Sequence, residues 1–414
     1  MKKFDKFLCG YIIFNIIYVF LIGFFNTIIK IPQRPFSYGF IALFIINIIL
    51  FIIICRKKEY KKNIVDLLLI LIVLFGIIAT IFAYNSQISL FGKIDRHEGL
   101  FTIIYYLSLF LISSFLNKKS KKIIVYSILI ISFIEIGYSL FQKIEFPAVK
   151  VVYNHFRPWA SGFVYNPNFL GIFALFGLSY SIGLFLDNKN DTMNIIYALL
   201  ILFFIYGLMN ANTLSVLVGL IIVMLVALIY SIKNKLYIKI GIVFVILTIM
   251  ITFTHFTNQT TLVKDMIQTK EESVSMVSGT AKNTIDYGTG RIYIWKKTIQ
   301  IVPNYLVHGI GIDNFYYILD GKPIIRKNQY YDKAHNELLQ ILVTEGLLCC
   351  LTYIIMYFII IKNGIKNSFK NKEIYYILPV VGYIVQAMFN ISVITVSPIF
   401  YIAMGLNMNR KTLE

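Results

Sequence analysis

A chain of 414 residues that is 58% hydrophobic and only 14% charged, with a mean hydropathy of +0.74, has too little polar surface to cover a soluble globule. The net charge of +19 invites a nucleic-acid reading. Most of the cations, however, fall in connections between long apolar runs, which excludes a single basic binding face and puts the chain in a bilayer.

Runs long enough to span a hydrocarbon layer of about 30 Å at about 1.5 Å per residue occur at 10–29, 36–55, 64–84, 100–116, 123–141, 168–186, 193–210, 214–232, 240–256, 338–361, 374–393 and 395–409. The first follows a basic flank like that of a signal peptide. It is as long as a membrane span and no small-residue cleavage site follows, so it is expected to be a retained helix. The short loop 210–213 predicts an antiparallel pair for its neighbours. The fold expected is therefore all-α: a polytopic transmembrane bundle of about twelve helices with both termini cytoplasmic. Helices one to nine and their short loops occupy 1–256. A long, partly helical extracytoplasmic loop over 257–337 carries the candidate catalytic residues, and three helices with a cytoplasmic tail complete 338–414.

With the N-terminus inside, the inner connections hold 22 Lys and Arg and the short outer ones hold 7, namely Lys30, Arg34, Lys93, Arg96, Lys143, Lys150 and Arg157. The asymmetry fixes the expected orientation, long loops being exempt from the rule. His97, His155, His255, His308 and His335 then all fall at or beyond the outer face, so that is where chemistry is expected. Cys9, Cys55, Cys349 and Cys350 lie within or at the edges of apolar spans and are expected to behave as small hydrophobes rather than as a disulfide framework.

Three outer stretches are polar. In LFGKIDRHEGLF (90–101), Asp95, Arg96, His97 and Glu98 are either a solvated loop or part of a site. In HFRPWASGFVYNPNFLG (155–171), Asn166 is a natural N-cap with Pro167 in the first turn. Arg157 and Trp159 there are either interfacial anchors or, for Arg157, a contact to an anionic headgroup. The long loop contains GTGRIYIWKKTIQIVPNYLVHGIGIDNF (288–315), where Thr289 and Gly290 open a helix, Arg291 and Trp295 share a face and Pro303 ends it. HGIGIDNF has too few glycines and no preceding strand for a dinucleotide loop; its glycines shape a turn. Beyond lies KAHNELLQILVTEG (333–346), which sets His335, Asn336 and Glu337 at the mouth of an apolar helix, with Glu345 about two turns in.

In order, R-x-x-G-L (Arg96, Gly99, Leu100), G-x-x-x-N-P-N (Gly162, Asn166, Pro167, Asn168), G-R-x-x-x-W (Gly290, Arg291, Trp295), H-G-x-G-x-x-x-F (His308, Gly309, Gly311, Phe315) and A-H-N-x-x-L-x-x-L-x-x-x-G (Ala334, His335, Asn336, Gly346) resemble the O-antigen ligase and polymerase family of membrane glycosyltransferases over about 85–390. The resemblance implies a bacterial plasma-membrane enzyme with an outward-facing site. It would move a glycan from an undecaprenyl diphosphate carrier to a hydroxyl of a glycan, lipid or protein acceptor, with inversion, without metal or other cofactor, and without nucleic acid as partner. One departure is that the family helix matching 213–220 often begins Ser-Arg-Gly, whereas this chain has Thr213, Leu214 and Ser215; Arg157, Arg96 or Arg326 would have to replace that arginine.

The chemistry needs a base for the incoming hydroxyl and positive charge for the departing diphosphate. Outer loops without an Asp-x-Asp pair leave arginines for the second task. Arg291 at a helix start is the first choice, with Arg157 and Arg96 as further diphosphate contacts. His335 is the base, its orientation set by Asn336 and its pKa raised by Glu337 or Asp332, with Trp295, Asn166 and Asn168 in support. Glu135 and Glu345, inside apolar spans, are protonated, paired in the bundle, or part of a sugar site. The rival readings are a polysaccharide transporter or flippase, which would gather its polar groups at mid-membrane and carry an internal repeat, and a non-catalytic membrane protein whose long loop binds a partner.

Overall fold

The computed structural model describes residues 3–26, 34–56, 63–143, 160–258, 260–278, 287–288, 290–326 and 329–408. The first helices are α1 (Lys3–Phe24), α2 (Arg34–Arg56), α3 (Ile64–Ile81), a short α4 (Ser86–Phe91), α5 (Leu100–Ser114) and α6 (Lys118–Lys143). They are followed by α7 (Pro167–Asp187), α8 (Asp191–Ala211), α9 (Leu214–Lys233) and α10 (Tyr237–Phe256). The long connection carries α11 (Leu262–Val277), α12 (Arg291–Ile301) and a hairpin of β1 (Ile324–Arg326) with β2 (Gln329–Tyr331). Then come α13 (Glu337–Glu345), α14 (Leu347–Asn371), α15 (Leu378–Ala387) and α16 (Ser397–Asn407). Among the described residues eight helices, α1, α3, α6 to α10 and α14, are long and apolar enough to cross a membrane. The protein is an all-α, multi-pass membrane protein.

At the centre stands α7, buried on every side and packed against α6, α8, α9 and α15. A helix that is apolar all round belongs in the middle of a bundle. Its start is built as its sequence suggests: the Asn166 side chain accepts from the Asn168 N–H at 2.9 Å, with Pro167 in the first turn. Just before it, the Phe163 N–H donates to Glu135 Oε2 of α6 at 3.0 Å, so this intramembrane carboxyl is used to fasten the 160–166 turn. Helices α8 and α9 are joined through Asn212, left-handed at φ 52; α8 packs chiefly on α7 and α10, and α9 chiefly on α15 and α7.

The apolar run 338–361, read in sequence as one span, is two helices. The chain breaks at Gly346 (φ 89), and α14 runs on to Asn371. The cause is tertiary. The Ile310 and Gly311 N–H groups donate to the Val343 and Thr344 carbonyls at 2.9 and 3.0 Å, and the Leu347 N–H donates to the Leu306 carbonyl at 2.8 Å. The HGIG segment thus satisfies the carbonyls that end α13, which a continuing helix would have bonded itself. The last two expected spans also shorten, to α15 and α16. Between them the Asn390 and Ser397 side chains accept from Ile391 and Val393 N–H groups, and irregular backbone survives at such a place because it is buried in protein.

The connections share one end of the bundle. Asn212 binds Thr260 and Thr261, the Ala160 N–H donates to the Asn210 carbonyl, and the Tyr84 N–H donates to the Ile310 carbonyl at 2.9 Å. There the long connection builds its own small core from Ile294, Ile310, Phe315, Ile318, Ile324, Ala334 and Val343. That core seats the connection on α13.

Candidate functional site

At this end α12 starts at Gly290 and carries Arg291 as its first residue. One turn later Trp295 faces the same way, and its indole Nε1–H donates to the Ala334 carbonyl at 3.0 Å. The Ala334 N–H in turn donates to Gln340 Oε1 at 2.8 Å, while Asn336 caps α13 by accepting from the Leu339 N–H at 2.9 Å. His335 is held between these two fixed neighbours at φ 52, a left-handed conformation that a side chain other than glycine adopts only where its surroundings insist. Asn336 therefore sets the backbone at His335 rather than bonding its ring. The imidazole is half-buried and meets the Tyr331 ring edge-on, with centroids 6.0 Å apart.

Burial, together with the fields of Arg291 and Arg96, pulls the His335 pKa down to about 4, with Asp332 opposing. Asp332 acts in the expected upward direction, but burial, with the two guanidiniums added, outweighs it. Glu337 does not act on the ring. It is buried, accepts from the Tyr357 hydroxyl at 3.3 Å, and lines a cavity on the inner side. Arg291 is itself pushed below its ordinary value by burial, yet a guanidinium stays protonated.

The 90–101 stretch is no solvated loop. Arg96 grips Asp332 in bidentate fashion, Nε to Oδ2 and Nη2 to Oδ1, both at 2.9 Å. Burial pushes the Asp332 carboxyl up, but Arg96, helped by Lys93 and Lys333, more than reverses this and holds it at about 2. Next to it Lys333, 4% exposed, lies 3.1 Å from Glu98 and 3.0 Å from Asp313. Glu98 also accepts from Tyr106 and Ser392 hydroxyls at 3.0 and 2.8 Å. These carboxylates hold the Lys333 pKa above its ordinary value against the effect of burial. The cluster lines a cavity of about 50 Å³ shared with Glu337, Glu345 and Tyr401, room for roughly one or two waters and too small for a sugar. Glu345 is tied within the bundle, accepting from Cys349 Sγ at 3.2 Å. Cys9, Cys349 and Cys350 are buried and free; the Cys55 side chain is outside the described part.

The structure brings together His335, Arg291, Arg96, Asp332 and Trp295. Asn166 and Asn168 serve the start of α7, and among the described residues no hydrogen bond joins them to this group. Arg157, Trp159 and Thr289 lie outside the described residues. His308 stacks on Phe82 at 4.9 Å, an anchor at the helix end. Sequence reasoning missed Asp313 and the burial of Lys333; the available signal was a lone carboxylate two residues after HGIG.

Residues 198–354 match the family model described as O-Antigen ligase. Over that stretch, less than half of the chain, the protein is similar to the O-antigen ligase family. The matched stretch runs from α8 into α14 and includes Arg291, Trp295, Lys333 and His335, while Arg96 and Glu98 reach the same site from outside it. No curated protein matches the sequence. The ligase family implies a membrane enzyme of ligase or polymerase kind, acting on lipid-linked glycan in polysaccharide biosynthesis.

Gly309 pins the HGIG segment against the end of α13. At φ 72, its added Cβ would stand 2.2 Å from the Thr344 carbonyl carbon. Gly309→Ala is expected to cost about 1–3 kcal/mol from conformation alone, plus the displacement of the HGIG segment from α13. It should appear as a lower thermal midpoint of the detergent-solubilised protein.

Proposed function

We propose that the protein transfers a glycan from an undecaprenyl diphosphate carrier to an acceptor hydroxyl on the outer side of the bacterial plasma membrane, as ligase or as polymerase. The observation that carries this reading is the Trp295 hydrogen bond to the Ala334 carbonyl, which ties the helix opened by Arg291 to the residue before His335 within the stretch that matches the O-antigen ligase model. The acceptor oxygen attacks the anomeric carbon from the face opposite the diphosphate. The new C–O bond forms as the bond to the diphosphate breaks, inverting the centre. His335 takes the hydroxyl proton, and the electron pair leaves on the diphosphate oxygen, where Arg291 at the start of α12 meets it.

A depressed pKa makes the resting imidazole neutral and ready to accept a proton. The diphosphate, once bound, offsets the guanidinium field and so lifts the base toward an ordinary histidine value. The sign follows. kcat/KM, which reports the free enzyme, should rise with pH through about 4 and then stay level to neutrality. The corresponding break in kcat, which reports the loaded enzyme, should lie higher. Transfer assays in nanodiscs with lipid-linked glycan at several pH values measure both; a kcat/KM break at an unshifted histidine value would count against His335 as the base in this environment.

A further inference from the structure

The candidate site occupies one end of the bundle, and a different feature lies at the other. Helix α9 starts beyond Asn212 at the site end and runs 20 residues to Lys233. Helix α14 starts where the Leu347 N–H meets the Leu306 carbonyl and runs 25 residues to Asn371. At about 1.5 Å per residue each crosses the thickness of a bilayer, so their last turns lie together at the far end. There Lys233, Ile365, Lys366, Phe369 and Lys370 line an open hollow of about 400 Å³, within the range of small-molecule sites, about 300–1,000 Å³. Neither helix has the other as its principal neighbour: α9 packs chiefly on α15 and α7, and α14 on α3 and α13.

The Lys233 ammonium stands 4.8 Å from the centre of the Phe369 ring, which the Tyr230 ring meets edge-on at 5.3 Å. Helix α14 sends Lys366 and Lys370, one turn apart, to a common side. Among the described residues none of these three lysines is in an ion pair. The pair at this end joins Lys118 to Glu373 at 2.6 Å, and the Asp187 carboxylate accepts from the Tyr230 hydroxyl. Like charges around one hollow repel, and an anion entering it relieves the repulsion. Exposed apolar side chains lead up to the hollow, Leu225 and Ile229 on α9 and Leu351, Ile355 and Phe358 on α14, on the side of each helix that carries the lysines. A ligand matching this surface has an anionic head and long apolar tails. We propose that the hollow between the last turns of α9 and α14 holds the headgroup of an anionic phospholipid of the surrounding bilayer. Its phosphate lies among Lys233, Lys366 and Lys370, and its acyl chains lie along the two apolar stripes. Membrane orientation accounts for lysines scattered through the connections; it does not account for lysines from two helices distant in sequence converging on one hollow with an aromatic wall. The site is independent of the transfer reading.

The test is an equilibrium titration of the delipidated full chain in a zwitterionic detergent, read by native mass spectrometry, with dioleoyl-phosphatidylglycerol, dioleoyl-phosphatidylcholine and glycerol 3-phosphate as probes. The wild type is expected to prefer phosphatidylglycerol to phosphatidylcholine by about a hundredfold, three lysines contributing about fivefold each. Lys233→Gln, Lys366→Gln or Lys370→Gln alone should weaken phosphatidylglycerol by about fivefold, and the triple variant should erase the preference. A matched triple of Lys119→Gln, Lys122→Gln and Lys189→Gln removes the same charge from exposed lysines at the same end and should leave the preference intact. Equal retention of the two lipids by the wild type overturns the site. So does an equal loss in the two triples, which would mark a diffuse charge effect. Glycerol 3-phosphate held as tightly as phosphatidylglycerol would make the hollow a soluble-phosphate site and overturn the lipid as its occupant.

Discussion

Replacing His335 by Asn is expected to lower kcat for glycan transfer by about 10²–10⁴-fold, the usual worth of a positioned general base, with little change in donor affinity. Asparagine is the right replacement because position 335 is left-handed and Asn tolerates that conformation better than most residues. The backbone path between Ala334 and the Asn336 cap is thereby kept, and the loss reports the imidazole alone. His335→Ala would mix that loss with strain. If the Asn variant transfers glycan at the wild-type rate from a reconstituted lipid-linked donor, the proton leaves by another route and the proposed mechanism is wrong. Donor binding measured alongside separates the two arms, since Arg291→Gln should weaken binding as well as turnover, whereas His335→Asn should spare it.

The second large effect is on stability. Lys333→Met should destabilise the protein by about 3–5 kcal/mol, because removing one partner of a buried ion pair leaves the others uncompensated. Here the partners are Glu98 and Asp313, which reach Lys333 from the 90–101 stretch and from the residues just after HGIG. Adding Glu98→Gln and Asp313→Asn to Lys333→Met should recover much of the loss, since it removes the orphaned charges as well. Chemical unfolding in detergent reads both. A single variant as stable as wild type would mean that the cluster does not hold the three segments together. The same contacts fix the stretch that begins at Asp332 and leads to His335, so a partly unfolded cluster should also lower transfer.

Much of the membrane architecture was readable because burial in lipid and in a bundle interior both demand long apolar runs, and runs of that kind are visible without knowing any contact. The centre of the bundle, α7, extends one residue past each end of the run read at 168–186, and its cap at Asn166 is a local signal three residues wide. The break at Gly346 was not readable. One glycine in an apolar run is compatible with an unbroken helix, and only the N–H groups of Ile310 and Gly311, arriving from more than thirty residues upstream, end α13 there.

The site divides in the same way. His335, Arg291 and Trp295 stood out through local pattern and through the ordered motifs, and the fold brings them together. The neighbours that set their chemistry did not stand out. Arg96 meets Asp332 across a separation of 236 residues, and Glu98 and Asp313 meet Lys333 in a space where water is nearly excluded. Glu337, two residues after the base in sequence, turns inward to Tyr357 because α13 begins there and a helix sends successive side chains in different directions. The sequence by itself determined that this is an all-α chain of the bilayer with basic and imidazole groups massed in its polar connections. Which charge faces which, and hence that the base is depressed rather than raised, was decided by tertiary structure, because electrostatic strength depends on distance and burial, and neither is a property of neighbouring residues along the chain.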